Sequence, residues 1–232
     1  MNRTSTLTPP PSVRMDPAIA NLETVAELLK QLGGIPANRV RWKPFPGTAT
    51  EKDLLAVVEG PEKRLCELVD GTLVEKPMGL HESRLAIVLA YFMETYLDTH
   101  DLGVCYGEAA TLRIVPGRVR LPDVSFVSWD KLPNRELPAE AVADLVPDLV
   151  VEVLSKSNTR REMKGKREEY FRGGARLVWE IDPKKQSARA YTSPHQFEEI
   201  GPDGVLDGGD VLPGFVLPLK RLFARAGRQR GS

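Results

Sequence analysis

One short run constrains the fold more than any other part of the sequence. Residues 147–154, PDLVVEVL, are apolar apart from Asp148 and Glu152. A strand that is apolar on both faces is typical of a sheet covered on both sides. A carboxylate in such a strand costs much free energy unless a cation accompanies it. The sequence therefore predicts a buried strand in which Glu152 meets a metal ion or a lysine of the next helix, Lys164 or Lys166.

A second carboxylate lies on the preceding predicted strand. We expect one strand over residues 119–127, paired with the strand before it, and this strand contains Asp123. Two carboxylates on separate strands, followed by a lysine, suit a magnesium-dependent phosphodiesterase site. Hard cations take carboxylate oxygens, the metal polarises the phosphate and activates a water, and an ammonium offsets the developing charge. Asp148 is the alternative to Asp123, but it lies four residues before Glu152 on one strand, roughly 13 Å away and too far to share a metal.

Several of these segments resemble a known family. Similarity to the Uma-two family of restriction endonucleases, a branch of the PD-(D/E)XK nuclease superfamily, extends over about residues 65–191 and is carried by PDVSFV (122–127), PDLVVEVLSKSNTR (147–160), KREEY (166–170), LVWEIDP (177–183) and Tyr191. The resemblance implies an α/β fold with a restriction-endonuclease-like core, in which helices flank one mixed sheet. It also implies a magnesium-dependent endonuclease, a hydrolase of phosphodiester bonds in which Mn²⁺ can substitute for Mg²⁺.

The sequence departs from the superfamily pattern at Leu154, where a lysine two residues after Glu152 is expected. In the Uma-two branch a lysine of the next helix is thought to replace it, and the resemblance implies Lys166. Helical spacing alone does not decide, because Lys164 and Lys166 flank the apolar face of that helix about equally. The catalytic set implied by the resemblance is Asp123, Glu152 and Lys166.

Glu82 is a further candidate ligand. It lies in the first turn of a helix predicted over residues 81–97. In the family a polar residue here often approaches the metal, so the resemblance implies Glu82 as an outer ligand beside Asp123 and Glu152. An acidic residue in a first turn also stabilises the helix dipole, whatever its function.

The chain divides into four predicted parts. A proline-rich start with little to bury predicts disorder, and capping boxes at Thr24 and Thr50 predict two short helices. An Asp-Gly turn at Asp70 predicts the hairpin that opens the core. The parts are a disordered tail (1–16), an N-terminal helical arm (17–62), the restriction-endonuclease-like domain (63–224) and a disordered basic tail (225–232).

The segment between the arm helices interleaves basic and aromatic residues. Arg39, Arg41 and Lys43 stand beside Trp42 and Phe45. Such interleaving suits contact with a nucleic-acid backbone and bases. The interpretation we favour is a solvated strand whose aromatic side chains pack inward.

Composition limits the choice of partner and compartment. Lysine plus arginine and aspartate plus glutamate number 32 each, so any nucleic-acid site must be a local basic patch. Cys66 and Cys105 are too few for a disulfide framework or a zinc cluster and predict a reduced compartment. No apolar run approaches a membrane span, and the polar start lacks a signal-peptide core, so we expect a cytoplasmic protein.

Two functions are compatible with these features. The first is a metal-dependent nuclease acting on nucleic acid, with DNA as the expected substrate. The second is a non-catalytic module that binds nucleic acid or protein, in which Glu152 only pairs with Lys166. Neutral net charge slightly favours the second. Three polar groups in an apolar setting favour the first, because a buried ion pair seldom improves on well-packed apolar residues. We favour the nuclease.

A homodimer is also expected. Members of the family tend to pair, and a duplex that is cut on both strands suits two-fold symmetry.

Overall fold

The computed structural model describes residues 15–77 and 79–227, and over these ranges it contains five α-helices and twelve strands. The helices are α1 (Val25–Gln31), α2 (Glu51–Val58), α3 (Leu80–Leu97), α4 (Arg160–Gly173) and α5 (Leu219–Ala226). The strands are β1 (Cys66–Val69), β2 (Thr72–Glu75), β3 (Gly103–Gly107), β4 (Leu112–Val115), β5 (Arg118–Arg120), β6 (Val124–Ser128), β7 (Leu149–Val153), β8 (Leu177–Asp182), β9 (Ser187–Tyr191), β10 (Phe197–Ile200), β11 (Val205–Asp207) and β12 (Val216–Pro218). The predicted tails, 1–16 and 225–232, fall mostly outside the described residues, so their disorder stays a prediction.

A six-stranded mixed sheet forms the centre, with strand order β10-β9-β8-β7-β6-β3. Only β7 and β8 are parallel, and α4 makes the crossover between them that a parallel pair requires. Alternate residues of β7 face opposite sides. Leu149, Val151 and Val153 pack with α3 and α5, while Val150 packs with Tyr170 of α4. The α/β fold, the mixed sheet and the strand buried on both faces are therefore confirmed.

A four-stranded antiparallel sheet, β2-β1-β5-β4, lies beside the mixed sheet, and β11 pairs with β12. The prediction of one strand over residues 119–127 is wrong. The chain leaves the four-stranded sheet after Arg120 and enters the mixed sheet at Val124, where β6 pairs with β3 and β7. Pro122 lies in this connection, and proline interrupts a ladder because it has no N–H to donate. Asp123 therefore lies at the junction of the two sheets.

The local signals read from the sequence are present in the structure. The Thr24 and Thr50 side chains each accept a hydrogen bond from the backbone N–H three residues on, as capping boxes require. Asp70 and Gly71 both have positive φ, 46° and 65°, the conformation that suits a two-residue hairpin loop. None of the described helices is long and apolar enough to cross a membrane.

The N-terminal arm is fixed to the first turn of α4. Arg39 makes two hydrogen bonds to the Glu162 carboxylate, of 2.7 and 3.0 Å, and both side chains are buried. Thr159 donates its hydroxyl to the carbonyl of Gly33 at 2.6 Å. Gly33 has a φ of 91°, and a β-carbon there would stand 2.7 Å from Cα of Glu162, so only glycine permits this approach.

The aromatic residues of the arm do not pack inward, so the interpretation that we favoured for this segment is wrong. Trp42 and Phe45 are 53% and 51% exposed and contact each other edge to face. The basic residues take the inward contacts instead, because Arg39 pairs with Glu162 and Arg41 lies 2.8 Å from Glu75. Paired cations fill the space that we had assigned to the aromatic rings.

Candidate active site

Asp123 lies immediately before β6, and Glu152 lies on the adjoining strand β7 of the mixed sheet. The register pairs Val124 with Val151, which puts Asp123 beside the end of β7 that carries Glu152. The backbone N–H of Val153 donates to Asp123 Oδ2 at 2.6 Å. Both carboxylates are buried. The two residues predicted as metal ligands are thus neighbours across the sheet.

Lys166 lies against Glu152. Its side chain is 1% exposed, and its Nζ is 3.2 Å from Glu152 Oε1 and 2.9 Å from Glu67 Oε1. Tyr170, one turn further along α4, donates its hydroxyl to the same Glu152 oxygen. Lys164, in contrast, is 57% exposed on the outer face of the helix. Of the two lysines left open by helical spacing, Lys166 is the one at the carboxylates.

Glu67 belongs to the same cluster, and sequence reasoning missed it. It lies on β1 of the other sheet, is almost wholly buried, and bonds both Lys166 and Arg120, the latter at 2.8 Å. A signal was available, because Glu67 stands among apolar residues of a strand just as Glu152 does. The same argument from buried charge applied to it.

Charged contacts continue from Glu152 across both sheets in strict alternation of sign. Four carboxylates alternate with three cations, so this charge network carries one more negative than positive charge. In order of contact its members are Asp70, Arg118, Glu169, Arg120, Glu67, Lys166 and Glu152. Glu152 is the terminal carboxylate on the side of Asp123.

The pKa values in the network follow from burial and from this charge balance. Burial raises the pKa of Glu152 above its ordinary value, and Lys166 only partly offsets that effect. For Glu67, burial opposes ionisation, but Lys166 and Arg120 together lower its pKa. Burial disfavours the Lys166 ammonium, yet the Glu152 and Glu67 carboxylates raise its pKa, so this lysine stays protonated.

Lys76 is a second cation at the site that sequence reasoning missed. Its Nζ is 2.7 Å from Asp123 Oδ1 and also donates to the carbonyl of Leu121. It follows β2 directly, and a lysine just past a strand usually reaches solvent. Here the side chain turns back to the sheet junction and is buried.

A cavity of about 450 Å³ opens beside this ion pair. It connects the rim of β1 and β2 with the end of β3, and its lining includes charges of both signs. The lining residues are Lys63, Arg64, Leu65, Glu75, Lys76 and Glu108.

Two other acidic candidates lie outside the site. Among the described residues, no three His, Cys, Asp or Glu side chains lie close enough to hold a metal ion, so Glu82 does not join Asp123 and Glu152 in such a group. The Glu82 carboxylate instead folds back over Gly79 at the start of α3, which agrees with the helix-dipole interpretation. Asp148 accepts from the N–H of Ser128 at the opposite end of β7.

The residues present fit a magnesium ion. Mg²⁺ usually binds through one or two carboxylates and keeps several waters, so a pair of carboxylates is a sufficient protein contribution. Asp123 and Glu152 supply hard oxygen donors, and Glu152 is one of the two terminal carboxylates of a network with excess negative charge. A cation would offset the burial that raises the pKa of Glu152.

Comparison with known proteins identifies the family. The model for Uma2, described as "Putative restriction endonuclease", matches residues 52–220, well over half of the 232-residue chain. The chain belongs to the Uma-two family. The matched range contains Asp123, Glu152 and Lys166, so the predicted family is confirmed over the segment that carries the site. It also begins within α2, so the Uma-two region includes the end of the predicted arm.

A solved structure shares the Uma-two fold of this chain. It is a protein from Anabaena variabilis ATCC 29413 described as "a putative nuclease belonging to DUF820". It is 20% identical, the match covers 69% of this chain and 90% of that one, and the TM-score is 0.61. This likeness confirms the fold class. No curated protein sequence matches the chain at a significant level.

Proposed function

We propose that this Uma-two protein is a metal-dependent nuclease that hydrolyses phosphodiester bonds of nucleic acid, with DNA as the expected substrate. The observation that carries the proposal is the buried Lys166 ammonium on Glu152, beside Asp123, where the charge network meets a second carboxylate. Few structural needs call for so many buried charges at one sheet junction, because apolar residues of similar volume generally stabilise a fold at least as well.

Asp123 and Glu152 would hold Mg²⁺, or Mn²⁺ in its place. When bound, the ion polarises the scissile phosphate and supplies a hydroxide-like nucleophile at neutral pH. The Lys166 ammonium lies within 3.4 Å of three carboxylate oxygens, one of Glu67 and two of Glu152, and would offset the charge that develops on the reacting phosphate. Since its neighbours raise its pKa, Lys166 acts as a fixed positive charge and not as a general base. Glu67 and Tyr170 are positioning residues, because they fix the lysine and Glu152.

The face of α4 that borders the arm offers a local basic patch for the nucleic-acid backbone. A groove of about 370 Å³ there is lined by Arg161, Lys164 and Arg172, among other residues. Glu162, Glu168 and Glu169 also line it. An arginine engages Glu162 and another engages Glu169, while Glu168 lies 3.7 Å from Lys164, so Arg161 and Arg172 are the cations that the patch offers. In a chain with no net charge, such a patch is the kind of nucleic-acid surface that composition allows.

The test is a cleavage assay on the full chain. Supercoiled plasmid, linear duplex, single-stranded DNA and RNA are incubated with Mg²⁺ or Mn²⁺, and parallel samples contain EDTA. We expect DNA to be cleaved and EDTA to stop cleavage, because the proposed chemistry needs the metal. Absence of cleavage on all four substrates by folded protein, with either metal, would contradict the nuclease.

A non-catalytic binding module is the second candidate, and one observation favours it. Each carboxylate of the site already has an internal cation, since Glu152 contacts Lys166 and Asp123 contacts Lys76. Such a module would retard DNA in a gel as well with EDTA as with Mg²⁺, and would leave it intact. If the protein retards DNA in the gel and also cleaves it in a reaction that EDTA stops, the nuclease is supported over the binding module.

A homodimer completes the proposal. Leu80, Ile87 and Tyr91 form an apolar stripe on the outer face of α3, and Leu80 is 93% exposed. An exposed apolar stripe of this kind suits a two-fold interface. We expect light scattering to give a mass near twice the 25.7 kDa of one chain. Ile87→Glu should halve that mass, and a parent mass of one chain would contradict the dimer.

A further inference from the structure

Lys76 occupies the position on Asp123 where a metal ion would bind. The two oxygens of Asp123 are both engaged, Oδ1 by the Lys76 ammonium at 2.7 Å and Oδ2 by the N–H of Val153 at 2.6 Å. Mg²⁺ lies only about 2.0–2.1 Å from its oxygen ligands. An ammonium and a dication of this kind cannot share one carboxylate oxygen without strong repulsion.

The charges at the junction balance a dication only if Lys76 leaves. With Lys76 on Asp123, that pair is neutral, and the negative group that remains next to it is Glu152, one of the two terminal carboxylates of the network. When Lys76 leaves, Asp123 contributes a second negative charge. Two negative charges then face the two positive charges of the metal.

The adjoining cavity offers the displaced ammonium a partner. Glu75 and Glu108 both line it beside Lys76, but Arg41 and Arg64 already engage Glu75. Glu108 makes no ion pair within residues 15–77 and 79–227. Burial raises the pKa of Glu108, Lys76 lowers it and Asp123 raises it, which agrees with its closeness to both groups.

We propose that Lys76 is a resident cation which the metal must displace from Asp123, and that its ammonium moves across the cavity to Glu108 when the metal binds. The inference rests on the metal site of the proposed function. It assigns to Lys76 and Glu108 a role in setting metal affinity. Lys76 thereby neutralises Asp123 when the metal is absent and pairs with Glu108 when the metal is present.

The first test measures Mn²⁺ affinity by calorimetric titration of the full chain. Lys76→Gln removes the competitor and should tighten Mn²⁺ binding by roughly tenfold, within the range usual for two coupled ligands. Lys63→Gln is the matched control, because Lys63 lines the same cavity and makes no ion pair with Asp123 among the described residues. It should bind Mn²⁺ like the parent. Equal affinity in Lys76→Gln and the parent, or no binding by either, overturns the proposal.

The second test isolates Glu108 with a double-mutant cycle. Glu108→Gln should weaken Mn²⁺ binding several-fold in the parent, because the displaced ammonium loses its partner, and should change nothing in the Lys76→Gln background. An equal loss of Mn²⁺ affinity in both backgrounds would indicate that Glu108 is itself a metal ligand, and it would contradict the movement of Lys76 from Asp123 to Glu108.

A third measurement needs no variant and covers the case in which Lys76→Gln does not fold. In crystals of the parent with Mn²⁺ bound, Lys76 Nζ should lie beyond the roughly 4 Å limit of an ion pair with Asp123. An intact Lys76–Asp123 contact beside a bound metal overturns the proposal. If Lys76→Gln binds Mn²⁺ more tightly than the parent but no variant cleaves nucleic acid, the displacement of Lys76 is supported and the proposed nuclease function is contradicted.

Discussion

Asp123→Asn is expected to abolish metal-dependent cleavage. The substitution keeps the size of the side chain and an oxygen for the N–H of Val153, but it removes the charge that holds the metal. Metal activation contributes several kcal/mol to such reactions, so its loss corresponds to about a thousandfold or more in rate. The measurement is initial cleavage rate at saturating Mg²⁺, with folding checked by circular dichroism.

Asp148→Asn is the matched control for this variant. Asp148 is also buried, also accepts from a backbone N–H and also pairs with a lysine, Lys131 at 3.1 Å, but it lies at the other end of β7. It should lower the free energy of unfolding by about 1–3 kcal/mol and leave the cleavage rate of folded protein unchanged. If Asp148→Asn is inactive and Asp123→Asn is not, the metal aspartate has been assigned to the wrong end of the strand.

Lys166→Met is expected to reduce both turnover and stability. Removal of the ammonium leaves Glu152 and Glu67 buried with no cation between them, which costs about 3–5 kcal/mol. Turnover should fall about 10²–10³-fold, as for other groups aimed at charge that develops in the transition state. Mn²⁺ affinity should not fall, since a positive charge is removed from beside the metal. Cleavage kinetics, urea unfolding and metal titration measure the three effects separately.

Two further variants separate catalysis from folding. Lys164→Met changes an exposed lysine on the same helix and should affect stability by less than about 0.5 kcal/mol and cleavage very little. Glu67→Gln combined with Lys166→Met removes the repulsion between the Glu67 and Glu152 carboxylates and leaves Arg120 paired with Glu169, so it should recover stability without recovering turnover. An active Lys166→Met protein beside an inactive Lys164→Met protein would transfer the role to Lys164.

Features of the fold that depend on residues close together in the sequence could be predicted. The capping boxes, the Asp70-Gly71 hairpin and the doubly covered β7 are each encoded within a few positions. The strand predicted over residues 119–127 failed because apolar residues stand on both sides of Pro122 and Asp123, although the chain changes sheet there. Which sheet a strand joins depends on distant partners that local periodicity does not describe.

The residues of the candidate site also fall into those that the sequence predicted and those that it did not. Asp123, Glu152 and Lys166 were predicted from family resemblance and, for Glu152, from the cost of a buried charge. The apolar neighbours of Glu67 indicated a buried carboxylate, but its partner Lys166 lies 99 positions away. Lys76 has no local signal for its contact with Asp123. Trp42 shows the converse error, since its apolar ring suggested burial while paired arginines took the interior.

The separation of Glu67 from Lys166 also determines when the site can exist during synthesis. At about 5–20 residues per second, a ribosome needs roughly 5–20 s to add the residues between them. Until α4 has emerged and docked, the nascent chain has Glu67, Asp123 and the Lys76 that contacts Asp123, but it lacks Lys166. The complete cluster of Glu67, Glu152 and Lys166 can therefore form only after most of the chain has been made.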